Sequence, residues 1–184
     1  MIDKVQPGDM AICRLNAPLV KPAFELIRQG IKAVIIGRDI GQGLITLMTK
    51  VGKKHNADTV LQLISALYDY SEREISKLMR AKKNQQAATL SDQVDTIVAL
   101  CEGADTIEQV KSKIASVFSD DVKGVAFSSI HKAKGLEADR VFIIRPELTP
   151  HKLAQSQWQI EQERNLQYIS YTRSKSELYF VSGD

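Results

Sequence analysis

The sequence predicts an α/β protein: a parallel sheet with helices on both faces, interrupted by an inserted block of helices. Three observations predict it. Near the start, a strand, a helix and a second strand follow one another over residues 9–37, the spacing of a βαβ unit. From Ile45 to Phe118 the apolar residues recur at helical spacing. Beyond that block, short β-branched and aromatic runs return.

Taken in order, "DMAICRL" (Asp9 to Leu15) follows a Pro-Gly turn and reads as a buried strand. Asn16 is a candidate cap for the next helix, with Pro18 and Pro22 favouring its early turns and Gly30 closing it. "IKAVIIG" (Ile31 to Gly37) reads as the second strand. The helical block implies about three helices, with Ser91 and Thr106 as caps, Gln109 completing a capping box with Thr106, and Gly103 as a stop. Strands then resume at Lys123 to Ile130 and Asp139 to Pro146, a helix runs from about Ala154 to Arg173, and "ELYFVSG" closes the sheet. The parts sum to about five strands. Residues 1–46 and 119–184 form the sheet domain and residues 47–118 the insertion.

The 184 residues are enough for a real core, and 43% apolar with 26% charged residues is a globular balance. A net charge of +3 is too slight to make nucleic-acid binding the default, so any electrostatic footprint must be local. The densest basic stretches, Lys50 to His55 and Arg73 to Lys83, read as solvated helix faces, with DNA the first choice should the block bind anything. Cys13 and Cys101 read as small core residues, since their spacing suggests neither zinc nor a redox pair. The start "MIDKVQPGD" does not resemble a signal peptide and no apolar run approaches a membrane span, so a soluble, cytoplasmic protein is expected.

Ligands of open α/β sheets gather at the carboxyl ends of strands, which draws attention to Arg14, to His131 through Glu137, and to Arg173. Each also has a plain structural reading. Arg14 suits an ion pair, His131 a satisfied histidine, Lys134-Gly135 a turn, and Arg173 a cation at a helix carboxyl end.

Their order matches a known pattern. "SSIHKAKGLEADRVFII" (Ser128 to Ile144) resembles the fifth motif of UvrD/Rep-like superfamily 1 DNA helicases, and "QERNLQYISYTRSKSELYFV" (Gln162 to Val181) the sixth. "MAICRLNAPL" with "LIRQGIKAVIIGRDIG" is similar to the fourth and its continuation. The resemblance covers residues 8–46 and 122–182.

It implies a RecA-like second motor domain that closes over ATP held, with Mg2+, mainly by a first domain. Arg14 and Arg173 match the arginines that reach the γ-phosphate, a task suited to a planar, permanently charged, forked donor. Glu137 matches the acceptor for the nucleotide ribose, and Gly135 lies beside it at the nucleotide. Ser129, His131 and Lys134 match positions facing the single-stranded DNA backbone, where donors can hold phosphate without reading sequence. No histidine lies at ligand spacing from another, so no metal is assigned to this chain.

Three departures qualify the match. There is no Gly-x4-Gly-Lys-Ser/Thr loop, so the chain alone is not expected to hydrolyse ATP. It reads as the carboxyl-terminal part of a longer helicase, or as a binding module that has kept the fold without the ATPase. The position before Arg14, commonly an adenine-stacking tyrosine, is Cys13, and the insertion is shorter than the family's accessory domain.

Overall fold

The computed structural model describes residues 4–182. It has two compact units, Met1–Gly37 with Ser119–Asp184, and Arg38–Phe118.

The first unit contains β1 (Met10–Cys13), α1 (Ala17–Arg28), β2 (Ala33–Ile36), β4 (Val125–Ser129), β5 (Ala138–Ile144), α6 (Gln157–Tyr171) and β6 (Ser174–Val181). A two-residue strand, β3 (Phe118–Ser119), brings the sheet to six, in the order β3-β2-β4-β1-β5-β6. The pairings of β2 with β4, β4 with β1, β1 with β5 and β5 with β6 are all parallel. From β1 the chain moves one way through α1 to β2, and from β5 the other way through α6 to β6. Right-handed crossovers in opposite directions place α1 and α6 on opposite faces, which is a doubly wound sheet.

Burial follows from that position. Every residue of β1 and β4 is buried, as in strands covered on both faces, whereas edge strand β6 is largely open. On the α6 face, Met10, Ile12, Val141 and Ile143 form a core with Ile130 and Ala133, against which Leu166 and Ile169 of α6 pack. The opposite register of the same strands supplies Ala11, Cys13 and Phe142, also buried. Fully burying one such large apolar side chain contributes roughly 1.5–3 kcal/mol.

Two local devices hold the strand entries. Gly124 has φ +107°, and a β-carbon there would lie 2.0 Å from the Lys32 carbonyl oxygen; that oxygen accepts from Val125 N at 2.8 Å to start the pairing with β2. The buried Asp9 carboxylate accepts from Gln6 N at 2.7 Å and pairs with Arg140 at 3.4 Å. Arg140 lies over Phe142 and Tyr179, whose rings stack at 4.7 Å, so the segment before β1 is tied to β5 and β6.

The second unit is α2 (Arg38–His55), α3 (Val60–Arg80), α4 (Asn84–Cys101) and α5 (Ile107–Val117), four helices where about three were expected. Helix α2 runs unbroken across position 46, so the unit begins at Arg38. Gly41 and Gly43 weaken the helical signal of its first turns. Gly41 is nonetheless required, because a β-carbon there would meet Phe118 Cβ at 2.7 Å. Thr59 caps α3, accepting from Gln62 N at 3.2 Å while Gln62 Oε1 accepts from Thr59 N at 3.1 Å.

Two of the expected caps differ. Ser91 lies inside α4, which starts seven residues earlier through a polar "NQQAATL" turn that carries no apolar stripe. Asn16 precedes α1 with helical dihedrals and makes no side-chain cap bond. Thr106 caps α5 through Gln109 N at 3.2 Å, while the Gln109 side chain accepts from Asp105 rather than Thr106. Gly103, at φ +64°, stops α4 as expected.

Candidate functional site

The carboxyl edge of the sheet collects residues from four places in the chain. Arg14 follows β1, Ile130 and His131 follow β4, the segment around His151 follows β5, and Glu163 comes from the face of α6 that packs on the sheet. Ile130 N donates to Cys13 O at 2.9 Å, which carries the β1 to β4 pairing to the start of the turn.

Arg14 and Glu163 form a two-pronged ion pair. Arg14 Nε donates to Glu163 Oε2 at 2.9 Å and Oε1 at 3.1 Å, and Nη2 donates to Oε1 at 2.6 Å. Both side chains are nearly buried, at 11% and 8% exposure. The second oxygen of Glu163 also accepts from His151 N at 2.9 Å. Burial pushes the Glu163 carboxyl up, but the Arg14 hydrogen bonds, the His151 N–H and the Arg14 charge outweigh it and leave the group below its ordinary range. The pair is therefore ionised at neutral pH.

His131 senses this pair. Surrounding protein lowers its pKa, the Arg14 charge lowers it further, and Glu163 acts the other way. Its residue surface nevertheless reaches solvent, as does that of Lys134. Ser129 differs: at 5% exposure it is part of the buried end of β4. Ser129 O accepts from Ala133 N at 2.9 Å, folding the chain into the turn that presents His131.

Arg173 stands elsewhere. It follows a helix and precedes β6, so it lies at the amino edge of the sheet, where Ala138 pairs with Ser174, and not at a strand's carboxyl end as expected. Its Nε donates to Ile169 O at 3.0 Å, its Nη1 to Leu136 O at 3.1 Å and its Nη2 to Thr172 Oγ1 at 3.1 Å. The helix-end reading is thus realised, with the addition that Arg173 holds the turn before β5. Glu137 is half-exposed there, with Lys175 Nζ 3.9 Å away, an open ion pair of small energetic weight. Gly135, at φ +88°, has open space where a β-carbon would project.

Apart from Lys134, on the exposed turn that runs between them, the predicted residues thus form two groups. Arg14, Ser129 and His131 meet at the carboxyl edge; Gly135, Glu137 and Arg173 gather at the amino ends of β5 and β6. From Glu163 the chain runs along α6 to its end at Tyr171, roughly 12 Å at 1.5 Å per residue, and on to Arg173. Cys13 is fully buried in the core and offers no face to a base. Glu163 is the site residue that the sequence reading passed over. The signal that could have found it is a lone glutamate on the sheet-facing side of a helix, where only a partnered charge is stable. Among the described residues, no group of three or more His, Cys, Asp or Glu side chains could hold a metal ion.

A parallel sheet of this order with helices on both faces is consistent with a RecA-like domain. The chain belongs to the UvrD-like helicase C-terminal domain family, whose model matches residues 23–183. That span includes every predicted site residue except Arg14, which precedes it. No curated protein matches the chain. Among the described residues no helix is long and apolar enough to cross a membrane.

Proposed function

We propose that this chain is the second motor domain of an ATP-dependent DNA helicase, moving 3′ to 5′ on single-stranded DNA. It acts with a first RecA-like domain that holds ATP and Mg2+. The observation that carries the reading is the meeting of Arg14 and Glu163, 149 residues apart in sequence, beside His131 in a domain of a helicase family.

The donor set suits a triphosphate. ATP supplies the phosphoryl group whose spreading negative charge needs stabilising. Arg14 is matched by resemblance to the γ-phosphate, but it stands beside His131 at the carboxyl edge, away from Glu137 and Arg173. Glu163 engages only its Nε and Nη2 side, which leaves donors for a backbone phosphate of the DNA. Arg173, at the amino edge with Glu137, becomes the γ-phosphate ligand by exchanging its bonds to Leu136 and Thr172, which frees the turn before β5 as the cleft closes. Glu137 accepts from the ribose, with Gly135 allowing the backbone to turn beside it. His131 and Lys134 hold the DNA backbone from the exposed side of the same turn, and buried Ser129 shapes that turn from below. Closure at Arg173 and grip at Arg14 and His131 then move together, which is how hydrolysis becomes translocation.

A second reading is a non-catalytic module that binds DNA or a protein through the exposed turn of His131 and Lys134. ATP turnover with and without single-stranded DNA separates the two, measured on this chain alone and joined to a first motor domain. Silence alone with DNA-stimulated turnover in the joined form is the expected result. Silence in both favours the module.

A further inference from the structure

We propose that Arg145 is a further ligand for the backbone of single-stranded DNA, carrying onto the turn after β5 the grip that Arg14 and His131 begin. The inference rests on the helicase reading above and adds to it a residue that lies outside the three motifs.

Position is the first argument. Strands β4, β1 and β5 are neighbours in the sheet. The β1 to β5 register sets Ile12 level with Ile143, so two residues further on Arg14 and Arg145 stand at one level, on chains roughly 5 Å apart. His131 leaves β4, on the other side of Arg14. Three donors thus stand where three adjacent strands end, in a row about 10 Å wide from the outer strand to the outer strand. A single phosphate cannot reach across such a row, and a polyanion can. The charge around it has the matching sign: residues 130–135 and 145–153, the turns after β4 and β5, carry Lys132, Lys134, Arg145 and Lys152 against one carboxylate, Glu147.

The backbone is the second argument. Arg145 has φ +51° and ψ +61°, the left-handed region that glycine takes freely and that side chains avoid. Two bonds hold it there, since Arg145 N donates to Val181 O at 2.7 Å and Arg145 O accepts from Leu148 N at 3.0 Å. A glycine would make the same turn without strain, so an arginine at this point serves something other than the turn. Its contact with Glu147, Nε to Oε1 at 2.8 Å, contributes little, because both side chains are about half open, at 45% and 48% exposure. Such a pair exchanges readily for a phosphate, which offers the guanidinium the same forked acceptor.

Arg145→Gly removes the donor and the strain together, and so separates binding from folding. Fluorescence anisotropy on this chain, with two unrelated single-stranded oligonucleotides at several salt concentrations, should show affinity for both falling roughly tenfold and the salt slope shrinking by about 0.7, the share of one phosphate contact. The urea midpoint of the same variant should hold or rise. Arg145→Ala should match it in affinity and fall below it in stability. Glu147→Gln, which releases Arg145 from its partner, should tighten binding roughly twofold to threefold.

Binding of Arg145→Gly within twofold of the parent and with the same salt slope, while His131→Ala binds more weakly, overturns the inference and leaves the helicase reading standing. A loss confined to one oligonucleotide overturns it too, as does a lowered urea midpoint in Arg145→Gly, which would give the arginine a structural role. If the parent chain binds neither oligonucleotide, the DNA surface of the helicase reading fails and takes the inference with it.

Discussion

Arg173 and Leu136 are joined by a hydrogen bond of 3.1 Å from the guanidinium to the main-chain carbonyl, so the residue that ends the α6 segment also holds the turn leading into β5. One side chain thus has two duties that can be separated by measurement. In the two-domain enzyme proposed above, Arg173→Ala should lower ATP hydrolysis by roughly a thousandfold or more, the usual scale for an arginine finger. Arg173→Lys keeps the charge but cannot bond Ile169, Leu136 and Thr172 together, and should recover little of the rate. Hydrogen exchange of residues 131–138 should quicken in both variants. Normal turnover in Arg173→Ala would remove the residue from the phosphate site.

Two glycines with left-handed φ should respond very differently to alanine. At Gly124 the new methyl meets the Lys32 carbonyl at 2.0 Å in addition to the backbone strain, so Gly124→Ala should cost about 3 kcal/mol or more. Gly135 has the strain alone, and Gly135→Ala should cost about 1–2 kcal/mol. Urea denaturation of the two variants checks the order; equal losses would mean the β2 to β4 entry can move aside.

Acid should weaken the fold in two steps. His131 titrates below its ordinary value of 6.5, so the unfolded chain takes up a proton that the folded chain refuses, and stability falls as pH drops through about 6.5 toward the folded value. Glu163 is also held below its ordinary value of 4.5, and its contribution is full above that value and fades as pH falls from there to the folded one. His131→Asn should flatten the upper part of the profile and Glu163→Gln the lower. Denaturation midpoints across pH 3 to 8 test this, and an unchanged upper slope in His131→Asn counts against the placement of His131 beside Arg14.

Much of this was legible in the sequence, for identifiable reasons. β1, β2, β4 and β5 are short apolar runs after turn residues, and their order alone predicts the parallel sheet. Helix α2 was harder to read. Its two early glycines look like loop residues until Phe118 is seen packed where a side chain would stand. The start of α4 was hidden by an uncapped polar turn. Sequence order singles out Arg14, His131 and Arg173, yet not that they divide between the two edges of the sheet. That division depends on strand direction at each residue: grouping Arg173 with the carboxyl-end residues overlooks that the helix it ends runs back to the amino edge of the sheet. Glu163 was invisible because a glutamate in "EQERN" looks solvated until its facing element is known.

Single-stranded DNA binding should depend on exposed donors more than on buried ones. His131→Ala and Lys134→Ala should each weaken affinity evenly across sequences, and Lys134→Ala should reduce the salt slope by about one. Ser129→Ala should act chiefly through folding, since Ser129 is 5% exposed. Fluorescence anisotropy with two unrelated oligonucleotides at several salt concentrations checks all three. A loss confined to one sequence contradicts backbone binding.

The passage from β4 to β5 is made without a helix. From the register, Ser129 lies level with Cys13 and Val141 with Met10, so the chain must travel back about six residues, or ~20 Å, and across β1 before β5 begins. Nine residue steps reach ~30 Å when fully drawn out, and the turn closed by Ala133 uses part of that. The connection therefore has little slack and works as a ruler. Its length is set by the length of the strand it spans, which forbids deletions there. A pull on His131 at one end has little loose chain to absorb it before it reaches Leu136 and Glu137 at the other.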